Sequence, residues 1–217
     1  MIHTLEADGI MLEFGERRIL QNIYLQCKTG EVVGILGRNG QGKSCLMNII
    51  YGKLKPLSKS VRIDKKVLLK AYLHSDLITY LPQFNFIPDS LKIVDVFKHF
   101  KLDLNVFLER FSNLKSETNT RFSNLSGGER RLVEVYVIII AQSHFSMLDE
   151  PFSHISPIYT EKIIEVINEQ RKNKGFLITD HMYDKIINNS DKIYILNQGS
   201  SYLMKEVEDL RKFGYTK

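Results

Sequence analysis

Cysteine is scarce in this 217-residue chain: Cys27 and Cys45 are the only two. Two are too few for a disulfide framework, which fits a reducing compartment. No long apolar stretch occurs either. The longest run, residues 135–141, falls far short of the ~20 residues that a membrane-spanning helix needs. The opening residues, MIHTLEADGI, carry acids and lack the apolar stretch of a secretory leader, so no leader is expected there. With 43% hydrophobic and 25% charged residues, the expectation is a soluble, cytoplasmic chain with one core over residues 1–217. Net charge is +5 and the sequence pI ≈ 9.0, a surplus that suits an anionic partner. The basic residues read as scattered and mixed with acids, without a stripe interleaved with aromatics, so nucleic acid is not the expected partner.

Five short stretches stand in a fixed order: GRNGQGKS, LPQ, LSGGE, FSMLDEP and ITDH. The first follows EVVGIL, a continuous apolar run of the kind buried in a parallel sheet. Gly37, Gly40 and Gly42 free the backbone around Asn39 to aim consecutive N–H groups at phosphate oxygens. Lys43 then reaches the outer phosphates, Ser44 offers a hydroxyl to Mg²⁺, and the helix expected from there presents its N-terminus to the anion. Cys45 comes next. It reads either as a small apolar residue packed in the first turn or as a thiol whose modification disturbs nucleotide binding.

Before the loop, residues 2–7, 10–14 and 19–27 read as strands; after it, short strands are expected at 61–63, 67–69 and 78–81. Gln83 follows the last of these. A neutral amide at a strand end can ligate Mg²⁺ or hold a water and move away without leaving a charge unpaired. From residue 84 to 124 the pattern changes to helical spacing at 94–100 and 104–111, with a polar loop at 115–121. This reads as a small helical subdomain inserted into an α/β core. Its opening FNFIP is either a satellite core or an exposed anchor for a partner.

Ser126, Gly127 and Gly128 open a further helix whose N-terminus can approach an anion. One phosphate loop already holds a triphosphate. A second such helix end is used economically if two copies pair head to tail, each closing the other's site. Residues 130–141 continue that helix although β-branched Val and Ile would by themselves suggest a strand. The strand at 144–148 delivers Asp149, a Mg²⁺ ligand through water, and Glu150, which orients or deprotonates the attacking water. A strand at 175–179 ends at His181, placed to bond a terminal phosphate; one at 192–196 closes the sheet, and 207–213 reads as a last helix.

Together GRNGQGKS, LPQ, LSGGE, MLDEP and TDH resemble the ATP-binding-cassette ATPases over nearly the whole chain. LSGGERRLVEV, DEPF, SPI and LITDH look more narrowly like the ATPase subunits of lipopolysaccharide exporters and branched-chain amino-acid importers. The resemblance implies a P-loop NTPase core with an N-terminal antiparallel β subdomain and the inserted helices. It also implies ATP and Mg²⁺ as cofactors, Phe14 stacked on adenine, and a homodimer or heterodimer of cassettes. The implied partner is a polytopic membrane permease, with the chain peripheral on the inner face of the cell membrane. Departures are Glu129 where the family usually has Gln, Val137 where it often has Arg, and the loop SHIS, with His154 bulky and Ser156 where an acid is expected. The leading expectation is a transporter ATPase; the alternatives are a soluble cassette ATPase in assembly or repair and a low-turnover nucleotide-gated regulator.

Overall fold

Apolar residues alternate along the first 28 positions, and in the computed structural model they form a ribbon of two antiparallel strands, β1 (Thr4–Phe14) and β2 (Arg17–Lys28). The structure describes residues 1–206 and 208–214. Residues 2–7 and 10–14, expected as two strands, belong to one strand whose register shifts around Gly9, at a φ of +59°. After β3 (Val32–Leu36) and α1 (Lys43–Tyr51) come β4 (Ser58–Ile63), β5 (Lys66–Val67) and β6 (Ile78–Leu81). Strand β5 stops two residues short of the expected 67–69, because Leu68 turns inward and residues 69–71 pass over Gly52. One sheet has the order β2-β1-β4-β5.

Helices α2 (Ile93–Phe100), α3 (Leu104–Arg110) and α4 (Gly127–Ile140) follow, with 3₁₀ turns at Ser112–Glu117 and Phe122–Asn124. The first of those turns replaces part of the polar loop expected at 115–121. The second sheet is completed by β7 (Phe145–Asp149), α5 (Pro157–Gln170), β8 (Gly175–Thr179), α6 (Tyr183–Asn189), β9 (Lys192–Asn197), β10 (Ser200–Leu203) and α7 (Glu208–Lys212). Of the helix expected at 207–213, Val207 lies outside the described residues.

In the second sheet the order is β10-β9-β3-β8-β7-β6, parallel except for β10, which pairs antiparallel with β9. Strand 192–196 therefore does not close the sheet; the tight turn at Gln198 and Gly199, both at positive φ, adds an edge strand beyond it. That edge reaches the other sheet, where Gln21 N–H donates to Gly199 O at 2.7 Å and Tyr24 N–H to Ser201 Oγ at 2.9 Å. Every residue of β3, β7 and β8 is buried, as expected for strands covered on both faces. Because β3, β8, β7 and β6 run parallel, the phosphate loop, His181, Asp149–Glu150 and Gln83 all leave the sheet at its carboxyl edge.

Helix α4 is where context overrides propensity. Every residue from Arg131 to Ile139 is buried, and a helix apolar nearly all round belongs in a core. Ser126 and Glu129 form a capping box that starts it. Tyr136 anchors the helical region from the same helix, its ring 4.9 Å from Phe107, 5.9 Å from Phe111 and 6.0 Å from Phe97.

Two charged side chains interrupt this apolar surface. Arg131, 3% exposed, donates from Nη1 to Pro82 O at 2.8 Å and from Nη2 to Asp149 O at 2.8 Å and Glu150 O at 3.0 Å. Glu134, fully buried, accepts from the backbone N–H of Phe86 at 3.0 Å and of Ile87 at 3.2 Å, and pairs with Arg131 at 3.7 Å. Burial pushes the Glu134 carboxyl up and the Arg131 guanidinium down, and the attraction between them opposes both shifts. At the other end of α4, the ammonium of Lys174 donates to Ile139 O at 2.8 Å and Ala141 O at 2.5 Å, capping the helix carbonyls.

Glu134→Ala leaves a buried guanidinium short of a partner and two orphaned N–H groups, so it is expected to cost about 3–5 kcal/mol. Urea unfolding measures this, and an unchanged midpoint would refute the clamp. Lys174 gives a pH signature. Burial pushes its pKa down to about 8 from a model-peptide value of 10.5, so between those values the unfolded chain holds the extra proton and stability rises with pH. Relative to Lys174→Met, wild type should gain stability from pH 8 towards 10.5; a constant difference would show that the amine does not titrate there.

Candidate functional site

The phosphate loop folds into a cleft because two of its glycines sit where a side chain would be strained: Gly40 at φ +80° and Gly42 at φ +92°. Gly42 also caps the N-terminus of α1, and a Cβ on it would meet Ile19 and Leu20 side chains at 2.9 Å. The resulting cleft holds ≈ 440 Å³. Asn39, Gly40, Gly42, Lys43, Ser44 and Cys45 line it together with Phe14, which is 52% exposed, and with Gln83, Glu150 and His181. Arg17, Ile19 and Gln41 also line it; of these, Arg17 was legible as a cation directly after the turn at Gly15 and Glu16.

Lys43 is nearly buried, and its Nζ donates to Gly37 O at 2.6 Å. Burial draws its pKa down, while the carboxylates of Glu150, Asp149 and Asp180 pull it back up. The ammonium thus lines the cleft within reach of acidic side chains, Glu150 among them. Cys45, in the first turn of α1, is half-buried against the apolar core and also lines the cleft. Its thiol pKa is raised by burial and then by the Asp149 charge, and a raised pKa means little thiolate.

Strand β7 ends in the buried carboxylate of Asp149. Its Oδ1 accepts from Thr179 Oγ1 at 2.6 Å and its Oδ2 from Tyr80 OH at 3.2 Å. Tyr80 OH in turn accepts from Asn48 Nδ2 at 3.2 Å, and Asn48 Nδ2 also donates to Ser44 O at 2.8 Å, so Asp149 is tied to the first turn of α1. Burial and the adjacent Asp149 charge push the Tyr80 phenol well up, keeping it a donor.

Glu150 leaves the strand at φ +53°, a left-handed conformation that costs a non-glycine residue about 1–3 kcal/mol. The turn aims its carboxylate into the cleft, where Oε2 accepts from Gln83 Nε2 at 2.9 Å and Oε1 lies 2.7 Å from His181 Nε2. Backbone bonds hold the strained residue: its N–H donates to Thr179 O at 2.9 Å and its carbonyl accepts from Arg131. Asp180 fastens the next loop, accepting from Phe152 N–H at 3.0 Å and Met182 N–H at 2.9 Å.

Ser126, Gly127 and Gly128 do not line this cleft. Ser126 Oγ donates to Glu129 Oε2 at 2.7 Å within its own capping box. Gly128 packs against the SHIS loop, where an added Cβ would lie 2.8 Å from His154 O. His154 sits at φ +66°, and Ser156 is the N-cap residue of α5, a position that favours Ser and Asp alike. The FNFIP segment divides between its two readings: Phe84 is 68% exposed, Phe86 packs on the core and Ile87 is buried. Arg131, Glu134, Tyr80 and Asp180 are the positioning residues that sequence reasoning missed. The signal for the first two was an Arg and a Glu three apart inside a run otherwise made of Val, Ile, Leu and Tyr136.

A family model described as ABC transporter matches residues 20–153. The lipopolysaccharide export system ATP-binding protein LptB of Escherichia coli (strain K12) is 31% identical over 212 residues, spanning 90% of this chain and 88% of that protein. A probable ABC transporter ATP-binding protein of Azorhizobium caulinodans is 29% identical, spanning 95% and 79%. Among solved structures, an ATP-binding subunit of an ABC transporter superposes with a TM-score of 0.85 at 21% identity, covering 97% of this chain and 93% of that one. A nucleotide-free ATP-binding cassette gives 0.75 at 22% identity, covering 97% and 94%. With the family matched over more than half its length and the phosphate loop, Gln83, Glu150 and His181 facing one cleft, the chain belongs to the ABC transporter family as an ATP-binding subunit.

Proposed function

We propose that the chain hydrolyses MgATP in a site completed by a second cassette, and that closure of the pair drives a polytopic permease from the cytoplasmic face of the membrane. One observation carries this reading: the carboxylate of Glu150 is held by Gln83 and His181 in the same cleft that Lys43 and the phosphate loop line. Phe14 stacks on the base. The N–H groups from Asn39 to Ser44 and the N-terminus of α1 take the phosphates, and Lys43 reaches the outer ones.

Ser44 Oγ, the Gln83 amide oxygen and Asp149 are hard oxygen donors of the kind Mg²⁺ takes. Gln83 uses its nitrogen on Glu150, which leaves the oxygen free for the ion. Both Asp149 oxygens accept protein hydrogen bonds, which favours contact through water. When bound, Mg²⁺ supplies positive charge at the outer phosphate oxygens. Glu150 orients and deprotonates the attacking water. His181 exchanges its bond to Glu150 for one to the terminal phosphate.

Ser126, Gly127 and Gly128 lie outside their own chain's cleft, which supports head-to-tail pairing with a homologous or identical cassette. Residues 84–124 act as the unit that passes closure to the permease, with Phe84 exposed for that contact. No described helix is long and apolar enough to cross a membrane, and the family implies a permease that does so.

Glu150→Gln keeps the shape but removes the base, so ATP turnover should fall about a hundredfold or more, and an ATP-held dimer should appear on size exclusion. Lys43→Ala should abolish ATP binding. An unchanged hydrolysis rate in Glu150→Gln would remove Glu150 from its role. Cys45 supplies an independent check: alkylation should be slow at neutral pH, slower still with ATP present, and complete modification should abolish ATP binding. Full affinity after complete modification would mean that Cys45 does not face bound nucleotide.

A further inference from the structure

Counted by segment, the basic residues are spread along the chain but the net surplus is local, which refines the sequence reading. Residues 53–73 carry six lysines and Arg62 against one acid, Asp64, a net of +6 where the whole chain is only +5. Everything outside this segment is therefore close to neutral. Lys53, Lys55, Lys65, Lys66 and Lys70 are exposed. Between them large apolar side chains project into water: Leu57 is 67% exposed, Val67 64%, Leu69 70% and Leu73 65%.

The fold brings these residues together. Lys59 Nζ donates to Ile49 O at 3.1 Å and Leu69 O at 3.2 Å, pinning the chain after β5 to the end of α1. A Cβ on Gly52 would lie 3.0 Å from Leu69 O and from Lys70 Cα. The Tyr72 ring sits 6.4 Å from Tyr51, and Lys53 Nζ lies over that Tyr51 ring at 5.5 Å. Lys53, Leu69, Lys70 and Tyr72 thus share one surface, and the β4–β5 hairpin carries Lys65 and Lys66 at the edge of its sheet. Lysine on an edge strand also blocks strand pairing between molecules. That accounts for Lys66, but not for leucines left in water beside the lysines.

We propose that this face rests on an anionic membrane surface, its lysines among lipid headgroups and Leu69 and Tyr72 dipping into the interface. The choice of lysine favours lipid over a folded acidic partner or nucleic acid. Arginine suits two-pronged recognition of a fixed carboxylate or phosphate, whereas lysine is a mobile point charge suited to a fluid anionic plane. The lone arginine, Arg62, is occupied within the fold by Glu6 at 3.8 Å and Asp8 at 3.5 Å. Single apolar side chains among cations are the chemistry of interfacial anchors. The inference does not depend on the ATPase reading, because the patch and the cleft share no residue.

Sedimentation of the purified full chain with vesicles tests it. Binding is expected to vesicles of phosphatidylcholine mixed with phosphatidylglycerol, to be lost in high salt, and to be absent with phosphatidylcholine alone. Each lysine removed should weaken binding about fivefold, so Lys66→Gln with Lys70→Gln should lower it more than tenfold while ATP turnover is unchanged. Leu69→Ser, which keeps the charge, should weaken it as well. No binding to the anionic vesicles overturns the proposal. So does equal binding of soluble polyglutamate or duplex DNA with no effect of Leu69→Ser, which would assign the patch to an acidic macromolecule instead.

Discussion

The guanidinium of Arg131 sits where three parts of the site meet. It binds the carbonyls of Pro82, the first residue beyond β6, of Asp149, the last of β7, and of Glu150, the first beyond β7. Backbone carbonyls there have left their ladders and need donors in a region closed to water. A planar fork with several N–H groups meets that need from one side chain, where lysine would offer a single point. The charge this brings into the core is answered by Glu134 one turn along, which spends its remaining acceptor capacity on the N–H groups of Phe86 and Ile87. One pair of residues on α4 therefore fixes the segment carrying Gln83 and the turn carrying Glu150 relative to each other.

That arrangement explains how a strained residue persists. Glu150 is left-handed without being glycine, and the penalty is offset by bonds on both sides of its peptide, from its own N–H to Thr179 and from Arg131 to its carbonyl. The strain has a use. A strand continuing straight would send successive side chains to opposite faces of the sheet, whereas the turn puts Asp149 into the buried network with Tyr80 and Thr179 and Glu150 into the cleft. Two adjacent acids thereby come to occupy different surroundings.

Much of this was legible in the sequence because each motif sits at the carboxyl end of a short, wholly apolar strand, a pattern that fixes both strand and site. EVVGIL before the phosphate loop and GFLIT before His181 are of this type. Helix α4 was legible only through its start, since Ser126 and Glu129 form a recognisable cap while its Val and Ile residues argue for a strand. What could not be read were contacts joining residues far apart in the chain: Arg131 with Pro82, Tyr80 with Asp149, and Asp180 with Phe152. Polarity gave a hint, but the partners depend on strand order. The edge strand β10 escaped because SSYL is short and half exposed, and the charge of residues 53–73 escaped because whole-chain totals dilute a local excess.

The remaining constraint links the two ends of the proposed paired site within a single chain. Gly128 stands against the carbonyl of His154 at a distance no side chain could share, so the start of α4 and the SHIS loop are packed backbone to backbone. The loop is further bounded by Phe152, whose N–H is held by Asp180, and by Ser156, which begins α5. Asp180 follows β8 and precedes His181, the residue that touches Glu150. His181, Asp180, the loop and Gly128 thus form a continuous run of contacts that contains no side-chain acid in the loop. On the head-to-tail reading, Ser156 stands where the family resemblance implies an acid, and the contacts from His181 to Gly128 need no charge there. Coupling between sites in this chain would then run through backbone packing beneath the interface rather than through a charge on its surface.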